Sequence, residues 1–440
     1  MKARLPLIAA LAVTFAPLTA SAQAWVSNPD FSEGIGIRAG NLELHPSFGA
    51  EAGYDSNFTR ASKAEGPVGV YKLRATPSLS LSTLNAKRLG GAQGDVAFSA
   101  SAYLSYFELI PADSANADVS KRRNAAVGAD ARLNVFPQRK VGFDLLGSYV
   151  RAIDAEGNSN DLAGQGFNRD TVRGGAGATW RPGGGLFEWR LGYQATANFF
   201  ENSTYSSLAN VQHTIDTRGR WRFLPRTALL WDSSYSFIRY THGTTQQTSG
   251  DAVSTKVGIH GLVTYHLALL GMVGWGASFY EQSGQSIAPR QYDSLVANAE
   301  ARWFIQARPN LEAAGLSSGI SSVALGYART FANSYYGSFY QQDRGYLDFS
   351  MFILGAVAGG IQFGVSRVAF PDVNPPPPGA AQPAFSQTRI DGRVFGEYRF
   401  TDTLAMNATF MFEQVNSPAV NNEDLKYSRW QTYLGVRVFW

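Results

Sequence analysis

Ile215-Asp216-Thr217-Arg218-Gly219-Arg220-Trp221-Arg222-Phe223 alternates strictly between ionic residues and apolar or small ones. Successive side chains of a β-strand point to opposite sides, so an extended backbone gathers Asp216, Arg218, Arg220 and Arg222 on one face. Ile215, Thr217, Gly219, Trp221 and Phe223 share the other face. Coiled as a helix, the same residues would carry charge all round. A strand with one greasy and one ionic face needs two solvents.

The pattern recurs along the chain. From Arg389 to Phe400, Arg389, Asp391, Arg393, Glu397 and Arg399 oppose Ile390, Val394, Tyr398 and Phe400, and only Phe395 breaks the alternation. From Asn124 to Phe136, Asp130, Arg132 and Asn134 oppose Val127, Ala129, Leu133 and Val135. The template predicts 18 strands, at 42–55, 69–83, 95–107, 123–136, 141–152, 169–180, 186–200, 211–223, 228–240, 254–265, 268–280, 292–306, 320–331, 344–354, 358–370, 388–400, 404–414 and 427–440. Segments of this length and period are the signature of transmembrane strands, which cross a bilayer at a tilt in ~9–11 residues. The expected fold is therefore all-β: a transmembrane antiparallel β-barrel of about 18 strands with short periplasmic turns and longer extracellular loops.

The connections support that alternation. Segments 137–140, 181–185, 224–227 and 401–403 are tight, whereas 153–168, 241–253, 371–387 and 415–426 are long. Two expected periplasmic links, 84–94 and 307–319, are longer than the pattern asks. The uncharged run Phe349 to Ser366 contains Gly355, Gly359 and Gly360 and reads as a hairpin rather than a spanning helix.

Composition agrees. Charged residues make up 16% of the chain and aromatics 13%, against roughly 25% charged in soluble domains. Lys2 and Arg4, the apolar stretch Leu5 to Leu18 and Ala20-Ser21-Ala22 form a signal peptide over 1–22. A short periplasmic segment, 23–41, and the barrel, 42–440, complete the expected organisation, which has no plug or periplasmic repeat domain ahead of the first strand. The expected location is the bacterial outer membrane, with outer-membrane lipid and lipopolysaccharide as surroundings.

Formal charge is +4, and losing Lys2 and Arg4 leaves +2, too little for a nucleic-acid-binding role. The chain has no cysteine, so neither disulfides nor thiolate chemistry is available. No cofactor is expected. The oxygen-rich run Asp154-Ala155-Glu156-Gly157-Asn158-Ser159-Asn160-Asp161 lacks EF-hand spacing and reads as a solvated loop, so no metal site is expected.

Projected inward, the alternation lines the lumen with Arg74, Arg132, Arg173, Arg190, Arg218, Arg220, Arg222, Arg302, Arg389, Arg393 and Arg399. Lys72, Lys256, Arg429 and Arg437 join them. Facing acids include Glu51, Asp144, Glu188, Asp216, Asp232, Glu300, Asp391, Glu397 and Glu413. These residues have two readings. One is a structural ladder of cross-strand ion pairs. The other is a solute path whose guanidinium forks bind carboxylates or sugar hydroxyls. The row Arg218, Arg220, Arg222 is the strongest path candidate, because Asp216 alone cannot pair three bases. Trp180, Phe187, Trp189, Trp231, Trp303 and Tyr398 would form interfacial girdles on the outer face.

Two short stretches carry resemblances. Leu434, Val436, Val438 and the final Trp440 share one face, which resembles the carboxy-terminal aromatic signal read by the barrel-assembly machinery. Tyr54-Asp55-Ser56-Asn57-Phe58 resembles the opening of porin-like outer-membrane barrel families associated with exopolysaccharide export, with Tyr54, Asp55 and Asn57 carrying the likeness. That resemblance implies a conduit for a polysaccharide, working with a separate periplasmic polysaccharide export protein. Asp55 and Asn57 also read as ordinary turn residues closing a strand.

Polysaccharide export is thus the first expectation, and a diffusion porin for small anionic or oligosaccharide solutes is the alternative. An outer-membrane hydrolase or a purely structural barrel is a third. The chain reads as a non-enzyme: His213 and Asp216 stand three residues apart on one strand and face opposite sides. Loop 371–387, stiffened by Pro375 to Pro378, is a candidate lid or external spike.

Overall fold

The computed structural model describes residues 36–84, 94–113, 119, 124–152, 168–201, 206, 209–241, 249–280, 292–305, 321–332, 340–353, 356–370, 384–419 and 424–440. The signal peptide, the oxygen-rich run 154–161 and the proline stretch 375–378 lie outside the described residues, as does most of links 84–94 and 307–319.

Strands run in chain order as β1 (Ile37–Ala39), β2 (Leu42–Asp55), β3 (Val70–Thr83), β4 (Val96–Pro111), β5 (Asn124–Val135), β6 (Val141–Ala152), β7 (Arg169–Trp180), β8 (Phe187–Phe200), β9 (Asn210–Leu224), β10 (Thr227–Tyr240) and β11 (Gly250–Leu262). They continue as β12 (Leu267–Tyr280), β13 (Tyr292–Phe304), β14 (Ser322–Ala332), β15 (Tyr340–Ile353), β16 (Val357–Phe370), β17 (Phe385–Thr401), β18 (Leu404–Asn416) and β19 (Tyr427–Phe439). Each strand from β2 to β19 pairs antiparallel with its sequence neighbour, and β19 pairs back onto β2 from Gln431↔Asp55 to Phe439↔Ser47. The result is a closed barrel of 18 strands, β2 to β19. Closure gives each strand a partner on both sides, so the backbone of the wall forms its hydrogen bonds without water.

Tight links join β5 to β6, β7 to β8, β9 to β10, β11 to β12 and β17 to β18 at one end; β2 starts and β19 finishes there. Most longer connections lie at the other end, but two long links, between β3 and β4 and between β13 and β14, fall at the tight-turn end, as the lengths of 84–94 and 307–319 anticipate. Phe349 to Ser366 is a hairpin, as its glycines predict, with Ile353 paired to Val357.

Most strand limits fall within two residues of the sequence expectation, but five ends differ by more. β4 runs on to Pro111, β11 is shifted to Gly250–Leu262, β15 starts at Tyr340 and β17 starts at Phe385. The segment expected ahead of the first strand, 23–41, contains β1. This short strand turns back at Gly40, whose φ of +60° suits glycine, and pairs with Leu42 to Leu44. They lie in the start of β2, 42–46, that the β19 ladder does not reach, so β1 caps most of a backbone edge that closure would leave open.

The two faces match their solvents. Val273, Leu295, Leu325, Val394, Leu434 and Val436 stand exposed on the outer face. Trp180, Trp189, Trp303 and Tyr398 are exposed on that face near the tight-turn end, with Phe187 packed on Trp180 and Trp231. Gly219 has a packing reason: a Cβ there would sit 1.7 Å from the Trp231 ring, which lies across it. Leu434, Val436, Val438 and Trp440 also point outward, so this terminal face belongs to the lipid-facing surface.

The inner face departs from the expected uniform polarity. At the loop end, Tyr340, Val368, Phe370, Phe385, Val415 and Tyr427 turn inward and pack with Leu425. A second cluster joins Val70, Phe107 and Leu109 to the loop residues Phe58 and Val119. The loop residues Phe58, Val119 and Leu425 therefore pack over an apolar inner rim.

This geometry predicts opposite tolerance on the two faces. Val273, midway along β12 and outward, should lose about 2–4 kcal/mol on Val273→Arg, because an arginine at mid-bilayer has no water to reach. Inward Asn298→Arg should cost far less. Guanidinium unfolding in lipid vesicles, followed by tryptophan fluorescence, compares the two, and equal costs would contradict the assignment of faces.

Candidate functional site

The inward face forms two unlike walls. Along β17, β18, β19, β2 and β3 most of the charges are buried and held in shared ion pairs. Asp55 accepts from Arg429 through Nε at 2.9 Å and Nη2 at 2.5 Å, and from Lys72 Nζ at 2.7 Å. Arg74 holds Glu51 through Nε at 2.7 Å and lies over the Tyr433 ring at 4.6 Å. Glu397 bridges Arg399 at 3.1 Å and Arg437 at 2.7 Å, and Arg437 also stacks over Phe439 at 4.5 Å. Glu413 accepts from Tyr427 Oη at 2.8 Å and faces Arg60, a loop residue absent from the sequence expectation, at 3.6 Å. Arg389 donates to Gln387 at 3.3 Å, Arg393 faces inward beside Gln362, and Asp391 takes both forks of Arg344 at 2.6 Å.

Arg344 shows why a late strand start matters. Alternation would have placed it inside with Asp348, but the expected strand began at that residue and left it unassigned. Arg60 had no such signal, since only the folding of its loop brings it to Glu413.

The motif behind the exopolysaccharide resemblance has a packing explanation. Tyr54 points outward into a cluster with Tyr71 and Trp430, each ring 5.1 Å away. Asp55 is the anion of the buried knot. Asn57 clamps the loop that follows, donating to the Ala61 carbonyl at 2.8 Å and the Ser428 carbonyl at 3.2 Å, and accepting from the Ala61 N–H at 3.0 Å. All three residues tie the closing seam of the barrel.

The other wall, β5 to β13, is open. The Arg218 side chain is 39% exposed, against 0% for Arg437. Arg190 is shared between Asp144 and Asp216, each at 2.7 Å. Arg218 lies 3.5 Å from Asp216 and 3.7 Å from Asp232, and Arg220 is 3.1 Å from Glu188. Arg302 meets Glu300 at 2.9 Å, and Glu300 accepts from Tyr346 at 2.8 Å. The row Arg218, Arg220, Arg222 is thus largely paired, by acids on β8 and β10 that a single-strand reading does not see. Among the described residues, Arg132, Arg173, Arg222 and Lys256 have no carboxylate within ion-pair distance. Arg173 adjoins Ser148 and Thr196, while Arg132 adjoins Ser99 and Leu146, so their neighbours on both sides are uncharged.

His213 faces away from Asp216, as alternation requires. It stacks between Tyr193 and Phe237 on the outer face, and its Nδ1 lies 2.6 Å from the Tyr193 hydroxyl. No group of metal-ligating side chains occurs among the described residues.

No protein-family model matches this sequence, and no curated protein matches it. Solved structures similar to it are outer-membrane barrels. The outer-membrane protein OpdK of Pseudomonas aeruginosa, solved with vanillate, is 11% identical with a TM-score of 0.43, and the match covers 90% of this chain and 99% of that one. OccAB3 of Acinetobacter baumannii is 10% identical with a TM-score of 0.42, covering 91% of this chain and 100% of that one. The FrpB iron transporter of Neisseria meningitidis is 10% identical with a TM-score of 0.43, covering 85% of this chain; this chain spans 62% of the transporter. Likenesses this distant carry no inference about cargo.

Asp55 holds two cations, so Asp55→Asn should cost about 3–5 kcal/mol by leaving Lys72 and Arg429 buried and underpaired. The expected readout is a lower denaturation midpoint and partial loss of the compact, heat-modifiable band on unboiled gels. An unchanged midpoint would show that the knot does not hold the seam.

Proposed function

We propose that this protein is an outer-membrane channel through which small anionic solutes diffuse. The observation that carries this reading is the unpaired basic wall: Arg132, Arg173, Arg222 and Lys256 face the accessible side of the lumen without a carboxylate partner among the described residues. A guanidinium with free donors offers a planar fork that fits a carboxylate. Arg190 and Arg218, already shared between two acids, keep the wall rigid and its cations in place.

An aqueous lumen fits the size of the barrel, since 16- to 18-stranded barrels are wide enough to leave a water-filled channel. The tight-turn end then faces the periplasm and the loop end faces outward. Diffusion is preferred over polymer export because the three residues behind the export resemblance are accounted for by the seam. The chemistry is binding and passage, with no bond made or broken.

Planar-bilayer recording in a KCl gradient tests this. The reversal potential should show anion preference, and Arg132→Ala with Arg173→Ala should reduce the chloride-over-potassium permeability ratio by roughly twofold or more. Raising ionic strength should narrow the difference, as screening shortens the reach of exposed charges. Cation preference in the wild type, or a channel that stays shut until polymer is added, would overturn the diffusive reading.

A further inference from the structure

The outer face is not apolar to its end. On β14 to β16 a row of charged side chains points outward at the loop side of the apolar band, where Arg329, Asp343 and Arg367 are register partners on successive strands. Asp343 accepts from Arg329 through Nε at 2.5 Å and Nη2 at 3.1 Å, from the Tyr327 hydroxyl at 2.5 Å and from Gln341 at 3.2 Å. Its oxygens are therefore filled by partners on its own side of the row. Arg367, on the far side of Asp343, is exposed and has no carboxylate within ion-pair distance among the described residues. Two guanidinium groups thus flank one saturated carboxylate, which leaves a net positive charge on a surface that faces the membrane.

The arrangement is repeated on the barrel. On β6 and β7, Tyr149 donates to Asp170 at 2.8 Å, and Arg151, two residues beyond Tyr149, is the register partner of Asp170. Tyr149-Val150-Arg151 and Tyr327-Ala328-Arg329 therefore use the same spacing against an aspartate on the next strand. In each case the ring lies at the edge of the apolar band and the guanidinium one rung further out, as expected where hydrocarbon gives way to headgroups. Arginine at this depth is wasted on acyl chains, whereas its remaining N–H donors match phosphate oxygens in geometry and charge.

We propose that the outward row Arg329–Asp343–Arg367 binds the phosphate of a lipid headgroup in the outer leaflet. Asp343 sets the Arg329 fork, Tyr327 sets the aspartate, and Arg367 supplies the second, uncommitted cation. The occupant is a phosphorylated glycolipid, because the row faces the leaflet on the loop side of the barrel and its acyl chains would lie along the outward Leu325, Leu347 and Val365. This site lies outside the lumen and does not depend on what the channel carries.

The test uses the purified full barrel in detergent, with lipid A bearing two phosphates, its dephosphorylated form and inorganic phosphate as probes. Thermal-shift titration should show stabilisation by bisphosphorylated lipid A and little by the other two. Arg329→Gln with Arg367→Gln should weaken that binding at least about tenfold. Unboiled gel mobility and unaltered bilayer conductance check that the variant is folded. If the double variant fails to assemble, Arg367→Gln alone, which breaks no ion pair among the described residues, should still weaken binding severalfold. Wild-type affinity in the folded variant, or equal binding of the dephosphorylated lipid, would overturn the proposal, and so would saturation by inorganic phosphate alone. Anion selectivity measured on the same variant separates this outcome from failure of the channel reading, because only the lumenal arginines should move it.

Discussion

Backbone amides and carbonyls that enter hydrocarbon have no water to bond, and this constraint governs the rest of the molecule. It forces a closed sheet and concentrates the difficulty at one seam, where β19 must find β2 across nearly the whole length of the chain. The seam is also where the strongest side-chain interactions gather. Asp55 on β2 is held by Arg429 on β19 and Lys72 on β3, so one carboxylate joins three adjacent strands. β1 covers Leu42 to Leu44, three of the five β2 residues beyond the β19 ladder. Closure in this barrel is thus a hydrogen-bond ladder reinforced by charge on its inner side and shielded at its free end.

Burying so many charges carries a desolvation cost that attraction alone need not recover. The wall meets it by giving most of these groups several partners. Glu397 serves two arginines, and Arg74 and Arg437 each add an aromatic face to an ion pair. Such a system is rigid because removing any member strands another. The opposite wall follows a different logic. Its cations keep contact with solvent, and Arg132 and Arg173 lie beside uncharged neighbours, so on the proposed reading their charge is what a passing solute meets. On that reading, one half of the lumen is frame and the other path.

Much of this was legible in the sequence because a period of two is a direct projection of the two-solvent environment. Ile215 to Phe223 and Arg389 to Phe400 show which side chains face in, and the structure places Arg218, Arg220, Arg222, Arg393 and Arg399 accordingly. What alternation cannot supply is the identity of the neighbour across the ladder. Arg218 and Arg220 looked underpaired on their own strand, yet Asp232 and Glu188 come from β10 and β8 through the register. The truly lone cations, Arg132 and Arg173, were indistinguishable from the rest. Loop residues were beyond reach for a related reason: Arg60 and Phe58 become lumenal only when their loop folds inward, and no local period encodes that. The broken alternation at Phe395 was a trace of the denser packing in that arc.

The same alternation has a limit that explains the outermost charges. Assigning every outward residue to lipid works along the middle of each strand, where Val273 and Leu325 sit, but strands such as β14 extend beyond the hydrocarbon. Past Tyr327 the outward face enters a layer of headgroups, and there Arg329 and Arg367 obey the chemistry of phosphate rather than of acyl chains. Arginine therefore appears on both faces of one barrel for different reasons. Inside, it faces water and carboxylates at any height; outside, it is tolerated only beyond the aromatic belt. The depth at which outward arginine first occurs marks the edge of the membrane on this protein more sharply than any single apolar residue, since a guanidinium one rung deeper would have neither water nor headgroup to meet it.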